Sequence, residues 1–224
     1  MNRIAVIDLG TGNLRSVARA LETVAGRDCE VRITESAADV AAADRVVFPG
    51  QSAIRSVMDR LRGNPALLDA VVEAIRGKPF LGICIGLQAL YGHSSEDGGV
   101  DCLGVLEGEV RHFLEAGGGS REAFTDPATG ARLKIPHMGW NTVRMDREHP
   151  LWEGIEQDAW FYFVHSYCAM PGSPAENCGT TSYGVDFVSA AAAGNVFAVQ
   201  FHPEKSQRNG LELLGNFVNW DGAS

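Results

Sequence analysis

The chain holds no Cys-x-x-Cys pair, no His-x-x-x-His spacing, no Gly-Lys-Ser/Thr loop and no long apolar run. Each absence removes a class of function. Five cysteines (29, 84, 102, 168 and 178) are odd in number and show no paired spacing, which fits a reduced chain rather than a disulfide scaffold. Six histidines (93, 112, 137, 149, 165 and 202) show no ligand spacing, so no metal site is expected. Gly10-Thr-Gly-Asn13 lacks the third glycine of a dinucleotide loop and the lysine of a phosphate loop. It is read as a tight strand-to-helix turn, and no organic cofactor is expected. Basic residues are scarce: 19 Lys and Arg against 28 Asp and Glu leave a net charge of −9, with no basic stripe for nucleic acid. No stretch approaches the roughly 20 apolar residues that cross a bilayer. Asp8 interrupts the apolar start, so neither a membrane span nor a leader is expected. A cytoplasmic location follows as the expectation.

What is present points to an α/β protein. The 224 residues suit one domain, 1–224, and 26 glycines suit many tight strand-helix turns. Strand patterns at Arg3–Ile7, Cys29–Thr34, Arg45–Phe48 and Phe80–Cys84 alternate with helical patterns at Leu14–Ala25, Ala37–Ala43, Ile54–Leu61 and Pro65–Arg76. That alternation predicts βαβ units and a largely parallel sheet flanked by helices. Asn64-Pro65 reads as a helix start. After Gly98 the pattern changes to strands at Val105–Leu114, Trp140–Met145, Trp160–Tyr167, Phe187–Ala193 and Val196–Phe201, so the sheet is expected to be mixed. A closing helix is read at Gly210–Trp220. Glu115–Leu133, with Gly117-Gly-Gly119 and Asp126-Pro127, is polar and turn-rich and reads as a surface loop or hairpin.

Two separated strings carry chemistry. Phe80-Leu-Gly-Ile-Cys84-Ile-Gly-Leu-Gln88 is a strand running straight into a helix, with glycine on each side of the cysteine. This is the layout of a nucleophile elbow with a thiol in place of a hydroxyl. A thiol at a helix N-terminus is biased toward thiolate, and the Ile85 N–H is placed to meet a developing oxyanion. Downstream, His202 and Glu204 in Phe201-His-Pro-Glu204 are two residues apart, hence on one face of an extended chain. A carboxylate beside an imidazole fixes its tautomer and stabilises the imidazolium. Singly, each string has a bland reading, an inert buried cysteine or a turn. Together they make Cys84, His202 and Glu204 a candidate triad. A stand-alone thiol hydrolase and a non-catalytic subunit that kept the fold are the readings it competes with.

Gly-x-Cys-x-Gly-x-Gln followed by His-Pro-Glu resembles the class I (triad) glutamine amidotransferases, over nearly the whole chain. Pro136-His-Met-Gly-Trp-Asn141, Phe161-Tyr-Phe-Val-His-Ser-Tyr167, His202-Pro-Glu-Lys-Ser206 and the opening Asp8–Ser16 string are similar to the glutaminase subunits of imidazole glycerol phosphate synthase. The resemblance implies a flavodoxin-like fold and hydrolysis of glutamine by Cys84, His202 and Glu204. It implies glutamine contacts at Gln88, His165, Ser166 and Tyr167. It also implies a β/α-barrel cyclase partner that uses the ammonia, met by Trp140, Tyr162 and Lys205. These three are expected to be accessible on the side of Cys84.

An oxyanion hole needs a second donor, and the Gly50-Gln51 peptide after strand Arg45–Phe48 is placed to supply it. The family usually has Pro-Gly-Val-Gly here, whereas this chain has Pro49-Gly-Gln-Ser52. Ser52 would cost about 1–2 kcal/mol if that residue were left-handed. The expectation is a Gln51 N–H turned away from Cys84 in the isolated chain, with little glutaminase activity until the complex is liganded.

Overall fold

Continuous apolar runs in the first strands are buried on both faces, as a helix-covered parallel sheet requires: Ile4 through Ile7, Val46 through Phe48, and Phe80 and Leu81 are all 2% exposed or less. The computed structural model describes every residue except Met1, Thr11, Arg27, Asp28, Pro127, Ala128 and Ser224. The Thr11 of the Gly10–Asn13 turn and the Pro127 of the Asp126-Pro127 turn thus lie outside the described residues.

The first half runs β1 (Asn2–Ile7), α1 (Leu14–Ala25), β2 (Cys29–Thr34), α2 (Ala37–Ala42), β3 (Arg45–Gly50), α3 (Ile54–Gly63), α4 (Pro65–Gly77), β4 (Phe80–Cys84) and α5 (Ile85–Leu90). The expected elements are there, within one or two residues at their ends. Val17, Ala18 and Leu21 form the buried stripe of α1. Asn64 Oδ1 accepts the Leu67 N–H at 3.2 Å and Pro65 opens α4, so the sequence-level helix start holds.

The second half adds β5 (His93–Ser94), β6 (Val100–Asp101), β7 (Gly108–His112), α6 (Phe113–Ala116), β8 (His137–Met145), β9 (Ala159–His165), β10 (Tyr167–Pro171), β11 (Asn177–Ser182), β12 (Asp186–Ala193), β13 (Val196–Val199) and α7 (Gln207–Asn219). The sheet order is β2-β1-β3-β4-β13-β12-β10-β7-β5-β6, with β11, β8 and β9 forming a wing off β12. The five strands from β2 to β13 are parallel, and β12 begins the antiparallel part. No described helix is long and apolar enough to cross a membrane.

Three strand readings need correction beyond their ends, while the Trp140–Met145 strand and the Gly210–Trp220 helix begin three residues earlier than expected, at His137 and Gln207. Val105–Leu114 is a strand only over β7, because His112 caps a new helical turn: its Nδ1 accepts the Leu114 N–H at 3.2 Å while Glu115 reaches back to the His112 N–H. Trp160–Tyr167 is two strands, β9 and β10, broken at Ser166. Val196–Phe201 leaves the ladder after Val199, where the chain turns into the site. Strands β5, β6 and β11 carry no clear pattern in the sequence; they are short or polar and owe their pairing to neighbours. The 115–133 segment is anchored by Phe124, 1% exposed and edge-on to Phe113 at 6.0 Å.

Candidate active site

Cys84 ends β4 and opens α5 with no residue between, which forces a non-glycine residue to φ 55° and ψ −102°. Such a conformation costs on the order of 1–3 kcal/mol and persists only where its surroundings impose it. The flanking glycines are steric necessities. A Cβ on Gly86 would lie 1.9 Å from the Phe48 carbonyl oxygen, and one on Gly82 would lie 2.9 Å from the Gly86 backbone. The turn lifts the Cys84 side chain to the rim of the sheet while leaving the residue only 3% exposed.

The parallel register does the rest. β13 lies beside β4 with Val199 opposite Ile83, so the next residues of the two strands, Gln200 and Cys84, come abreast and His202 follows just beyond. His202 Nδ1 is 2.9 Å from Glu204 Oε1, and both side chains are almost fully buried. A carboxylate oxygen can only accept, so Nδ1 carries the proton and Nε2, buried and without a partner, is left for the thiol. Burial by itself would lower the His202 pKa. The Cys84 sulfur and then Glu204 outweigh it and raise the value to about 9, so the imidazole rests as an imidazolium at neutral pH.

On the other side, β3 pairs with β4 as far as Gly50 opposite Cys84, two residues longer than the expected strand. Pro49 is tolerated because β1 pairs with β3 only as far as Val47, so its missing N–H leaves no ladder bond unmade. A Cβ on Gly50 would press at 3.1 Å on the Ile85 side chain, so the glycine is what lets the end of β3 and the start of α5 close up. Ser52 does not have a positive φ, and its feared cost is therefore absent. The Gln51 side chain has an unforeseen position: its amide nitrogen lies 3.3 Å from His202 Nδ1. Because the single His202 Nδ1–H is donated to Glu204, Nδ1 has no lone pair left to accept from the Gln51 amide.

A cavity of about 360 Å³ opens on Cys84 and is lined also by Gln51, Ile85, Gln88, Glu96, His165 and Lys205, with Ser166 and Tyr167. A larger cavity of about 820 Å³ is lined by Met138, Trp140, Trp160 and Tyr183 and contains none of the triad. The smaller one is the cavity that reaches Cys84. Gln88 Nε2 donates to the Tyr167 carbonyl at 3.1 Å and to Gln200 Oε1 at 3.0 Å, which leaves Gln88 Oε1 without a partner. His165 lines the cavity, yet both ring nitrogens are taken within the protein. Nδ1 meets the Tyr167 carbonyl at 2.8 Å and Nε2 meets His137 Nδ1 at 3.1 Å. Neither ring nitrogen of His165 is free, and its ring holds the Tyr167 carbonyl.

Two residues of the site escaped the sequence reading. Glu96 lines the cavity, and its Oε2 accepts the Ile54 N–H at the start of α3 at 2.9 Å. Burial raises its pKa. Nothing local in sequence marks it. Gln200, fully buried, places Nε2 3.6 Å from Cys84 Sγ. The one signal for it was a lone amide inside an apolar strand, two residues before His202.

The candidate partner residues form a run leading away from the cavity. Lys205 lines it and sets Nζ 5.9 Å over the Tyr162 ring, whose other neighbour is Trp140 at 6.0 Å. Trp140 is 42% exposed, with Met138 and Trp160 exposed on the same face of the β8–β9 hairpin. Among the described residues no cluster of His, Cys, Asp and Glu could hold a metal ion.

A thiol on a strained elbow, with an imidazole and a carboxylate beside it, is the arrangement that nucleophilic acyl-transfer enzymes use. The chain belongs to the class-I glutamine amidotransferase family, whose pattern matches residues 5–220. It is 53% identical to imidazole glycerol phosphate synthase subunit HisH 1 of Pseudomonas aeruginosa over 99% of both chains. It is 51% identical to subunit HisH of Thiobacillus denitrificans over 97% of this chain and 91% of that one. Among solved structures, PurLQS from Thermotoga maritima superposes with a TM-score of 0.68 at 16% identity, covering 97% of this chain and 98% of that one. The glutaminase domain of CTPS from Trypanosoma brucei gives 0.60 at 15% identity, covering 99% and 95%. At that identity the solved structures speak for the fold alone.

Proposed function

We propose that the chain is the glutaminase subunit of an imidazole glycerol phosphate synthase, hydrolysing glutamine and delivering ammonia to a β/α-barrel cyclase. There the ammonia enters the reaction that yields imidazole glycerol phosphate and an aminoimidazole carboxamide ribonucleotide. The observation that carries this reading is the buried Cys84–His202–Glu204 constellation, whose Cys84 opens on a cavity of about 360 Å³, in a chain half identical to relatives named for that synthase.

Cys84 attacks the side-chain amide carbon of glutamine, forming the S–C bond, and the oxyanion is met by the Ile85 N–H and, once the Gly50-Gln51 peptide has turned in the liganded complex, by the Gln51 N–H. His202 gives its proton to the departing nitrogen, so ammonia leaves and a glutamyl thioester remains. The now neutral imidazole takes a proton from water, whose oxygen attacks the thioester; the C–S bond breaks and its electron pair returns to sulfur. Glu204 holds the tautomer throughout. Gln88 Oε1, an acceptor without a partner, and the Glu96 carboxylate suit the α-ammonium of the substrate. Ser166 and Tyr167 also line the cavity. Trp140, Tyr162 and Lys205 offer a cationic, aromatic face to the cyclase, continuous with the glutamine cavity. Five cysteines without paired spacing suit a cytoplasmic, reducing location.

The test is Cys84→Ala assayed in the complex with the cyclase and its nucleotide substrate. Glutamine-dependent turnover is expected to fall at least about 10³-fold while turnover with added ammonia persists. Substantial glutamine turnover by the variant would sink the assignment.

A further inference from the structure

A backbone carbonyl can only accept, and the Tyr167 carbonyl therefore fixes the polarity of two hydrogen-bond branches that meet on it. On one, His165 Nδ1–H must donate to that oxygen, so His165 Nε2 accepts from His137 Nδ1–H. His137 Nε2 in turn accepts from the Asn141 amide at 3.3 Å, whose nitrogen also donates to the Ser182 carbonyl at 3.1 Å. On the other, the Gln88 amide must present its nitrogen to the same carbonyl. Its second N–H then requires an oxygen from Gln200, which turns the Gln200 nitrogen toward Cys84 Sγ. Only one amide orientation of Gln200 satisfies this chain.

We infer that Gln200 is a further catalytic residue, whose side-chain N–H is aimed at the Cys84 sulfur and stabilises it whenever the sulfur carries negative charge. This rests on Cys84 being the nucleophile. Sulfur bears that charge twice per cycle, before attack and again when the C–S bond of the thioester breaks and the electron pair returns to it. Gln200 is 0% exposed, and a buried amide is costly unless its donors have partners. The sulfur is the partner the structure provides. Tyr167, through its carbonyl, and Gln88 position Gln200 rather than touching the sulfur themselves.

The experiment is alkylation of Cys84 by iodoacetamide in the full-length chain, followed by peptide mass spectrometry from pH 5 to 9, for the parent, Gln200→Met and Gln200→Glu. Only thiolate reacts. Loss of one donor to a charged sulfur is expected to slow the Gln200→Met rate at pH 6 about tenfold, with the difference closing at high pH. Gln200→Glu keeps the oxygen that Gln88 needs but sets an anion beside the sulfur, so a larger slowing is expected. It also gives the readout if the Met variant does not fold. Parent-like rates across the pH range in a folded variant would reduce Gln200 to a structural amide. A parent Cys84 reacting no faster than the partly exposed Cys29 and Cys102 would overturn the nucleophile and the inference together, and would be recognisable as that separate failure.

Discussion

His137 offers a sharp test of the electrostatics around the site. Its ring is sandwiched between Phe163 at 4.8 Å and Tyr183 at 3.9 Å and is 2% exposed. Burial pushes its pKa down from 6.5 to about 4. His165 is lower still, about 3, from burial and then from the neighbouring His137. Both are neutral in the fold, as the hydrogen-bond directions require. A folded value below the unfolded one means that the unfolded chain binds more protons between the two. The stability is therefore fully present above about pH 6.5 and is lost as the pH falls toward 4. From pH 8 to pH 5 the loss due to His137 alone is about 2 kcal/mol, a large part of the 5–15 kcal/mol that holds a typical domain folded. The perturbation is His137→Gln, which keeps a donor for His165 Nε2 and an acceptor for Asn141 but cannot titrate. Urea unfolding of both proteins at pH 8 and pH 5 is the assay. The free-energy difference between them should shift by about 2 kcal/mol in favour of the variant at pH 5. Because it is a difference between two proteins, the opposite trend expected of His202, whose contribution is lost as pH rises through about 9, cancels. Parallel pH profiles would refute a buried neutral His137.

Two further outcomes follow from the geometry. His202→Asn should lower glutamine turnover in the complex by several orders of magnitude and Glu204→Gln by fewer, because an amide oxygen still orients Nδ1–H; equal losses in kcat would remove Glu204 from the orienting role. Gly86→Ala, whose Cβ would fall 1.9 Å from the Phe48 carbonyl oxygen, should cost well over about 3 kcal/mol and leave little soluble protein; a melting temperature within a few degrees of the parent would mean that the elbow can relax.

The parallel half of the sheet was legible residue by residue, because its strands are buried on both faces and its helices carry apolar stripes, with side-chain caps from Ser36 and Asn64 on two of them. The elbow was legible for the same reason: a strand reversing into a helix excludes a Cβ, and Gly82 and Gly86 record that exclusion in the chain. The pairing of Cys84 with His202 and Glu204 could be guessed from residue type, but the distance between them comes from β13 lying beside β4 in parallel register, across more than a hundred residues. That same adjacency brings Gln200 to the sulfur, and no local pattern marks a buried glutamine as a thiol partner. Glu96 reaches the cavity only because α3 and the loop after β5 pack together. The His165 ring nitrogens meet His137 and the Tyr167 carbonyl, partners that residue type alone does not reveal. Covalent crowding and burial act between near neighbours in sequence and leave their trace there; polarity of a hydrogen-bond chain depends on which distant groups face one another, and that is decided only when the sheet closes.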